Sequence, residues 1–256
     1  MKSLKDYDGI KGFMELLEYQ GMTHEMNQLE FIIDYVDKTE RQLDAVLSEL
    51  QHVRMELGTI QQKNIKTTAV RMVDNVINTV NIGKESITKT KTFIKCTIEQ
   101  GVKEFKSKGK DALVSTMKNL NINGLLQKCL HCFNSIHQSA DKSIDALTNL
   151  GNEVHQVNSH VLNIGRIMIG KDPIATRKRN HDKGIISITQ HGLFKVMEKM
   201  SNLSIKTKEN IRKLDEKINE LNTKESVQKK SVKKSLKKFK NVASEKDCKK
   251  IMQNER

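Results

Sequence analysis

A chain of 256 residues with 36% hydrophobic and 4% aromatic residues, no Trp and a single Pro falls short of the about 45–50% apolar content of an ordinary globular domain, which excludes a thick core. Its 30% charged residues and 11 Met suit long amphipathic helices that each bury one narrow stripe. The formal net charge of +14 is uneven: residues 1–60 hold 6 Lys/Arg against 12 Asp/Glu and residues 61–256 hold 39 against 19, an asymmetry that points to an anionic surface or to attraction between two parts of the protein itself.

No apolar run approaches the ~18–20 residues of a membrane span, and the start MKSLKDYDGIKG lacks the apolar segment of a secretory signal, so a cytoplasmic protein is expected. Cys96, Cys129, Cys132 and Cys248 do not make a disulfide framework in a chain of this size and read as thiols.

In chain order, IKGFMELLEYQG predicts a short helix ended by Gly21 in a left-handed cap. Leu29, Val36, Leu43, Leu50 and Leu57 then recur every seven residues, with Ile32, Thr39, Val46, Val53 and Ile60 three positions on. Nine of these ten are apolar, a coiled-coil pattern, so residues 1–60 read as an acidic helical hairpin. Residues 61–120 form a lysine-rich helical segment, with a thinner stripe through Ala69, Val73, Val76, Val80, Ile87, Ile94, Ile98 and Phe105. Gly83, Gly101 and Gly109 weaken it, and nine lysines between Lys84 and Lys118 coat its surface.

NING at 121–124 is a break before the most regular periodicity in the chain. Leu126, Phe133, Ala140, Leu147, Val154, Val161 and Met168 form one heptad series, and Cys129, Ile136, Ser143, Leu150, Val157 and Ile164 the other. A helix from about Gly124 to Met168 rises roughly 65 Å, which predicts an elongated protein and makes residues 121–172 a long heptad helix. A basic connector at 173–184 leads to a second heptad helix at 185–223, where Leu193, Met197, Met200, Ile211, Leu214, Ile218 and Leu221 give the order typical of a parallel dimer and hence the expected self-association seam. Residues 224–256 are a basic tail, with 11 Lys against 3 acids between 224 and 250. The fold expected is all-α: elongated helical hairpins in a coiled-coil-like bundle, without a sheet.

Three stretches invite a chemical reading. GRIMIGKD at 165–172 spells most of a phosphate-binding loop, but Asp172 stands where a magnesium-ligating Ser or Thr belongs, and the glycines close a heptad helix instead of following a strand. Gly170 as a helix cap with Pro173 as a stop accounts for the same letters. CLHCFNSIH holds Cys129, His131, Cys132 and His137, yet on a continuous helix His131 points away from the face that the two cysteines share, so the set does not close on one metal ion. No sited nucleophile, base or metal set marks an enzyme, and no cofactor or small-molecule substrate is implied.

The lysine pairs Lys229/Lys230, Lys233/Lys234 and Lys237/Lys238, with Lys240, are the strongest candidate contacts for an anionic partner, and Arg177, Lys178 and Arg179 add a smaller patch. Such a tail releases counterions on DNA, RNA or an anionic membrane, and with Phe239 alone for stacking it touches phosphate without reading sequence. A solubilising tail, or one docked on the acidic residues 1–60, accounts for the same charge.

MELLEYQGM, LDAVLSELQHVRMEL and GRIMIGKDPIATRKRNHDKGII resemble parts of a helical protein family of Firmicutes, often borne on conjugative or other mobile elements. The resemblance covers most of residues 10–200 and fades in the tail. It implies a bacterial, cytoplasmic, all-helical protein accessory to a mobile element, and carries over no catalytic residue.

The sequence therefore predicts a non-enzymatic interaction or scaffold protein that pairs with itself or with another helical protein through heptad seams. The alternatives are a nonspecific nucleic-acid-binding accessory protein acting through its lysine-rich C-terminus, and a peripheral binder of anionic membranes acting through residues 84–118.

Overall fold

In the computed structural model, which describes residues 3–59, 63–169, 171–175 and 184–217 with side chains from Lys66 in the second span, every regular element among the described residues is a helix. Two units are distinguished, residues 1–208 and residues 209–256.

The first unit opens with a single 3-10 turn, Leu4–Asp6, closed by a capping box between Ser3 and Asp6. Helix α1 (Asp8–Tyr19) buries Ile10, Phe13 and Leu17, one face at helical spacing. It ends as predicted at Gly21, whose φ of 65° is left-handed. There the Gly21 amide donates to Glu18 O at 2.9 Å and the Met22 amide to Leu17 O at 2.8 Å, the two bonds of a Schellman turn.

Helix α2 (Thr23–Gly58) and helix α3 (Lys63–Lys108) form an antiparallel hairpin. Arg54 reaches Asp74, Lys84 reaches Asp44 and Lys91 reaches Asp37, so residue numbers fall on α2 as they rise on α3. The predicted heptad positions from Leu29 to Leu57 and from Ile32 to Val53 are all buried, Thr39 included. Ile60 lies outside the described residues. The stripe of α3 from Ala69 to Ile98 is buried as well.

The glycines of α3 are contact points and not mere weaknesses. A Cβ on Gly83 would sit 2.4 Å from Cys132 Sγ, and one on Gly101 would sit 2.2 Å from Thr116 Oγ1. The lysine-coated stretch is two helices, because at Gly109 (φ 55°) the chain turns from α3 into α4 (Lys110–Leu120).

Asn121, left-handed with φ 42°, makes the next break and caps α5 (Ile122–Met168) by accepting a bond from the Gly124 amide at 3.1 Å. The helix thus begins two residues before the expected Gly124. It runs antiparallel to α3, with Ser143 donating to Met72 O and Ser139 bonded to Thr79. The next helix, α6, covers residues 185–217, and its part up to Lys208 returns along α5 and α2. Gln190 donates to Thr148 Oγ1 at 2.7 Å, Ser204 donates to Asn134 Oδ1 at 2.8 Å, and Tyr35 is hydrogen-bonded to Thr207. Unit 1 is therefore an up-and-down bundle of α2, α3, α5 and the part of α6 up to Lys208, with α1 and α4 packed on its α3 side.

This packing corrects the expected self-association seam. Leu193 and Met200 are fully buried inside unit 1, where they fill the bundle, and Met197 between them is half-buried, so this part of the seam is not available to a second chain. In the second unit the described residues, 209–217, are helical and carry the i,i+4 pairs Lys213–Glu209 and Arg212–Glu216; Ile218 and Leu221 lie outside the described residues.

Candidate functional site

Helix α5 changes character at Gly151. Up to Leu147 its heptad positions are core: Leu126, Cys129, Phe133, Ile136, Ala140, Ser143 and Leu147 are all buried, and Leu150 is half-buried. Beyond Gly151 none is buried. Val157, Val161 and Ile164 are about three-fifths exposed and Met168 is 80% exposed, although they continue the same two series without a break.

The cause is helix length. With Ser143 opposite Met72, the first residues of α3 fall opposite the stretch just after Gly151, and with Thr148 opposite Gln190 so do the first residues of α6. Among the described residues both neighbours have ended there, and the last 17 residues of α5, roughly 25 Å of helix, extend past them.

The chain after α5 folds back on this extension. Asn163 grips the backbone of Ile174 at two points: its side-chain amide donates to Ile174 O at 2.9 Å, and its Oδ1 accepts from Ile174 N at 2.8 Å. Arg166 Nε donates to Asp172 O at 2.8 Å. Asn163 and Arg166, with His155, Ser159 and Leu162, border an open groove of about 420 Å³ beside Ile174 and Ala175. At 100° per residue this groove lies on the side of α5 opposite Val157, Val161, Ile164 and Met168, so the folded-back segment does not cover the apolar seam.

GRIMIGKD is thus the end of this helix and its return. Gly165 lies within α5, the helix ends at Met168, and Asp172 supplies its carbonyl to Arg166. No strand precedes it among the described residues. Gly170, the predicted cap, lies outside them, as do Arg177, Lys178 and Arg179 in the connector and Lys229, Lys230, Lys233, Lys234, Lys237, Lys238 and Lys240 in the tail.

In CLHCFNSIH, Cys129 and Cys132 are buried and His131 is exposed. Burial pushes the Cys129 thiol up to about 12 and the Cys132 thiol up to about 11, which suits two small core side chains. Among the described residues no group of three His, Cys, Asp or Glu side chains is placed to hold a metal ion. Nor is any helix among them long and apolar enough to cross a membrane.

Part of the charge asymmetry is settled inside unit 1. The acidic helix α2 faces lysines of α3 and α6: Lys84 pairs with Asp44, Lys91 with Asp37 and Glu40, and Lys199 with Glu49 at 2.5 Å. The bond from Lys199 holds the Glu49 carboxyl below its ordinary range. Within the lysine-coated stretch, Lys89 and Lys108 pair with Glu85 and Glu104 on their own helix, and Lys95 stands over the Tyr7 ring.

Sequence periodicity places Val154–Met168 in the core because it registers spacing and not the reach of neighbours. The signal that separates the two is length: α5 has 47 residues, whereas α2 ends at Gly58 and α3 begins at Lys63, well short of its far end. The Asn163 clasp has no sequence signature.

The architecture defines an all-α helical bundle protein with one helix extending past its neighbours. The chain belongs to a family of unknown function, DUF6674, whose model matches residues 6–256. That match continues through the lysine-rich tail, past the residues 10–200 that carry the resemblance noted above. No curated protein and no solved structure gives a significant match.

Proposed function

We propose that this protein is a non-enzymatic helical interaction protein whose bundle presents the free end of α5 as a docking surface, working in the bacterial cytoplasm as an accessory to a mobile element. The observation that carries the reading is the uncovered seam Val157, Val161, Ile164 and Met168, a contiguous apolar face of a kind that marks interaction sites. Its spacing suits another helix laid alongside it. The mobile-element setting is supported by the resemblance of GRIMIGKDPIATRKRNHDKGII alone. Placing a photo-cross-linking amino acid at Val161 and irradiating living cells tests the interaction reading: a covalent adduct with any protein, this chain included, is expected. Irradiation that yields no protein adduct overturns it.

The net +8 of residues 224–250 supports a second reading, phosphate contact with DNA or RNA through Lys229–Lys240. An electrophoretic shift at two salt concentrations, with and without residues 224–256, decides it; a shift that ignores either salt or the tail removes this reading. Membrane binding through residues 84–118 has less support, since Lys84 and Lys91 are engaged by acids of α2.

A further inference from the structure

We infer that the free end of α5 docks against the same segment of a second copy of this chain, antiparallel across a two-fold axis close to Val161. This rests on the interaction reading above and names the partner. In that arrangement Val157 of one copy meets Ile164 of the other, and Val154 meets Met168.

Charge is the first argument. In a chain of net +14, the only Asp, Glu, Lys or Arg residues between 152 and 169 are Glu153 and Arg166, and Arg166 is turned to the opposite face, where it binds Asp172 O. Two copies of so cationic a protein repel one another over most approaches and meet at least cost where the surface is neutral. An acidic partner, by contrast, gains nothing from this face. A two-fold contact also requires a patch that complements itself, which an uncharged seam of aliphatic knobs does.

Orientation follows from the bundle. Paired helices lie 8–10 Å apart. Two parallel extensions at that spacing would force two bundles, each several helices wide, into the same level, whereas antiparallel extensions place the bundles at opposite ends of the contact. Area sets the strength. Each seam side chain hides roughly 100 Å² when covered, so five from each copy remove about 1,000 Å² in all, the lower bound of a specific interface and the size of a transient one. The dimer is therefore expected to dissociate on dilution in the micromolar range.

Sedimentation velocity on the purified full chain between about 1 and 100 μM tests this. A monomer–dimer equilibrium is expected, and the double variant Val161→Glu, Ile164→Glu weakens it at least about tenfold while circular dichroism and the melting temperature stay unchanged, because both side chains are exposed. Orientation is read by cross-linking with Cys96 and Cys248 replaced by Ser. A sample carrying Val157→Cys mixed with one carrying Ile164→Cys is expected to cross-link through a short thiol-to-thiol reagent far better than either alone. The inference falls if the chain is monomeric throughout, if the dimer ignores the seam variant, or if each single-cysteine sample links to itself as well as the mixture does. If photo-cross-linking at Val161 captures only a different protein, the interaction reading stands and the self-pairing does not.

Discussion

Lys91 Nζ lies 2.8 Å from Asp37 Oδ1 inside the bundle, where their side chains are 13% and 8% exposed. Glu40 Oε2 stands 2.6 Å from the same ammonium, and Ser3 and the Leu4 amide both donate to Asp37 Oδ2. One buried cation thus joins α3 to α2, and one carboxylate ties down the chain before α1.

Removing the cation leaves two carboxylates buried without their charge partner. Lys91→Met is expected to destabilise the protein by about 3–5 kcal/mol, measured as a shift in the urea midpoint with the slope unchanged. A loss below about 1 kcal/mol would show that water reaches this network.

The same network has a predicted pH signature. Burial opposes the charge on Asp37, but the bonds from Lys91, Ser3 and Leu4 together outweigh it and hold the carboxyl below its ordinary value of 3.8. Its contribution to stability is therefore present above pH 3.8 and is lost as pH falls through the lowered value. Burial likewise opposes the charge on Lys91, yet Asp37 and Glu40 raise its pKa above 10.5, so its contribution is present below pH 10.5 and is lost above it. The stability difference between the wild type and Lys91→Met should shrink at both ends of a pH series; a constant difference would contradict the assignment.

At Gly83 helix α3 lies close against Cys132 and Ile136 of α5. Gly83→Ala drives a methyl group to 2.4 Å from Cys132 Sγ and is expected to cost about 1–3 kcal/mol as the two helices yield. In the double variant Gly83→Ala, Cys132→Ala the new methyl takes the space of the sulfur. Thermal melts should show it losing clearly less than the two single variants together. Strict additivity would mean that the two positions do not touch.

The cysteines sort by burial. At pH 8 in the folded protein carrying Cys248→Ser, a thiol reagent is expected to modify Cys96 alone, since burial holds the other two thiols near 11 and 12. Denaturant should release two further equivalents. Rapid native labelling of Cys129 would mean that α5 opens locally without global unfolding.

Much of this fold was legible in the residues. Heptad spacing placed Leu29–Leu57 and Leu126–Leu147 on buried faces, Gly21 marked the end of α1, and the NING break at 121–124 marked the start of α5 to within two residues, because helix periodicity and cap chemistry are local properties of a sequence. Gly83 and Gly101 read as weak points for the same reason: only the facing Cys132 and Thr116 reveal why no side chain fits.

What the sequence by itself determined is that the chain makes long amphipathic helices with apolar seams, and where most of them begin and end. It did not determine which seams are covered. Leu193 and Met200 belong to the series expected to form a dimer interface yet fill the chain's own core, while Val157, Val161, Ile164 and Met168 have the spacing of a core yet face solvent. An apolar stripe carries the same spacing whether or not a neighbour lies against it, and that depends on where α3 and α6 begin along α5, a relation between segments far apart in the chain that only the tertiary structure decides.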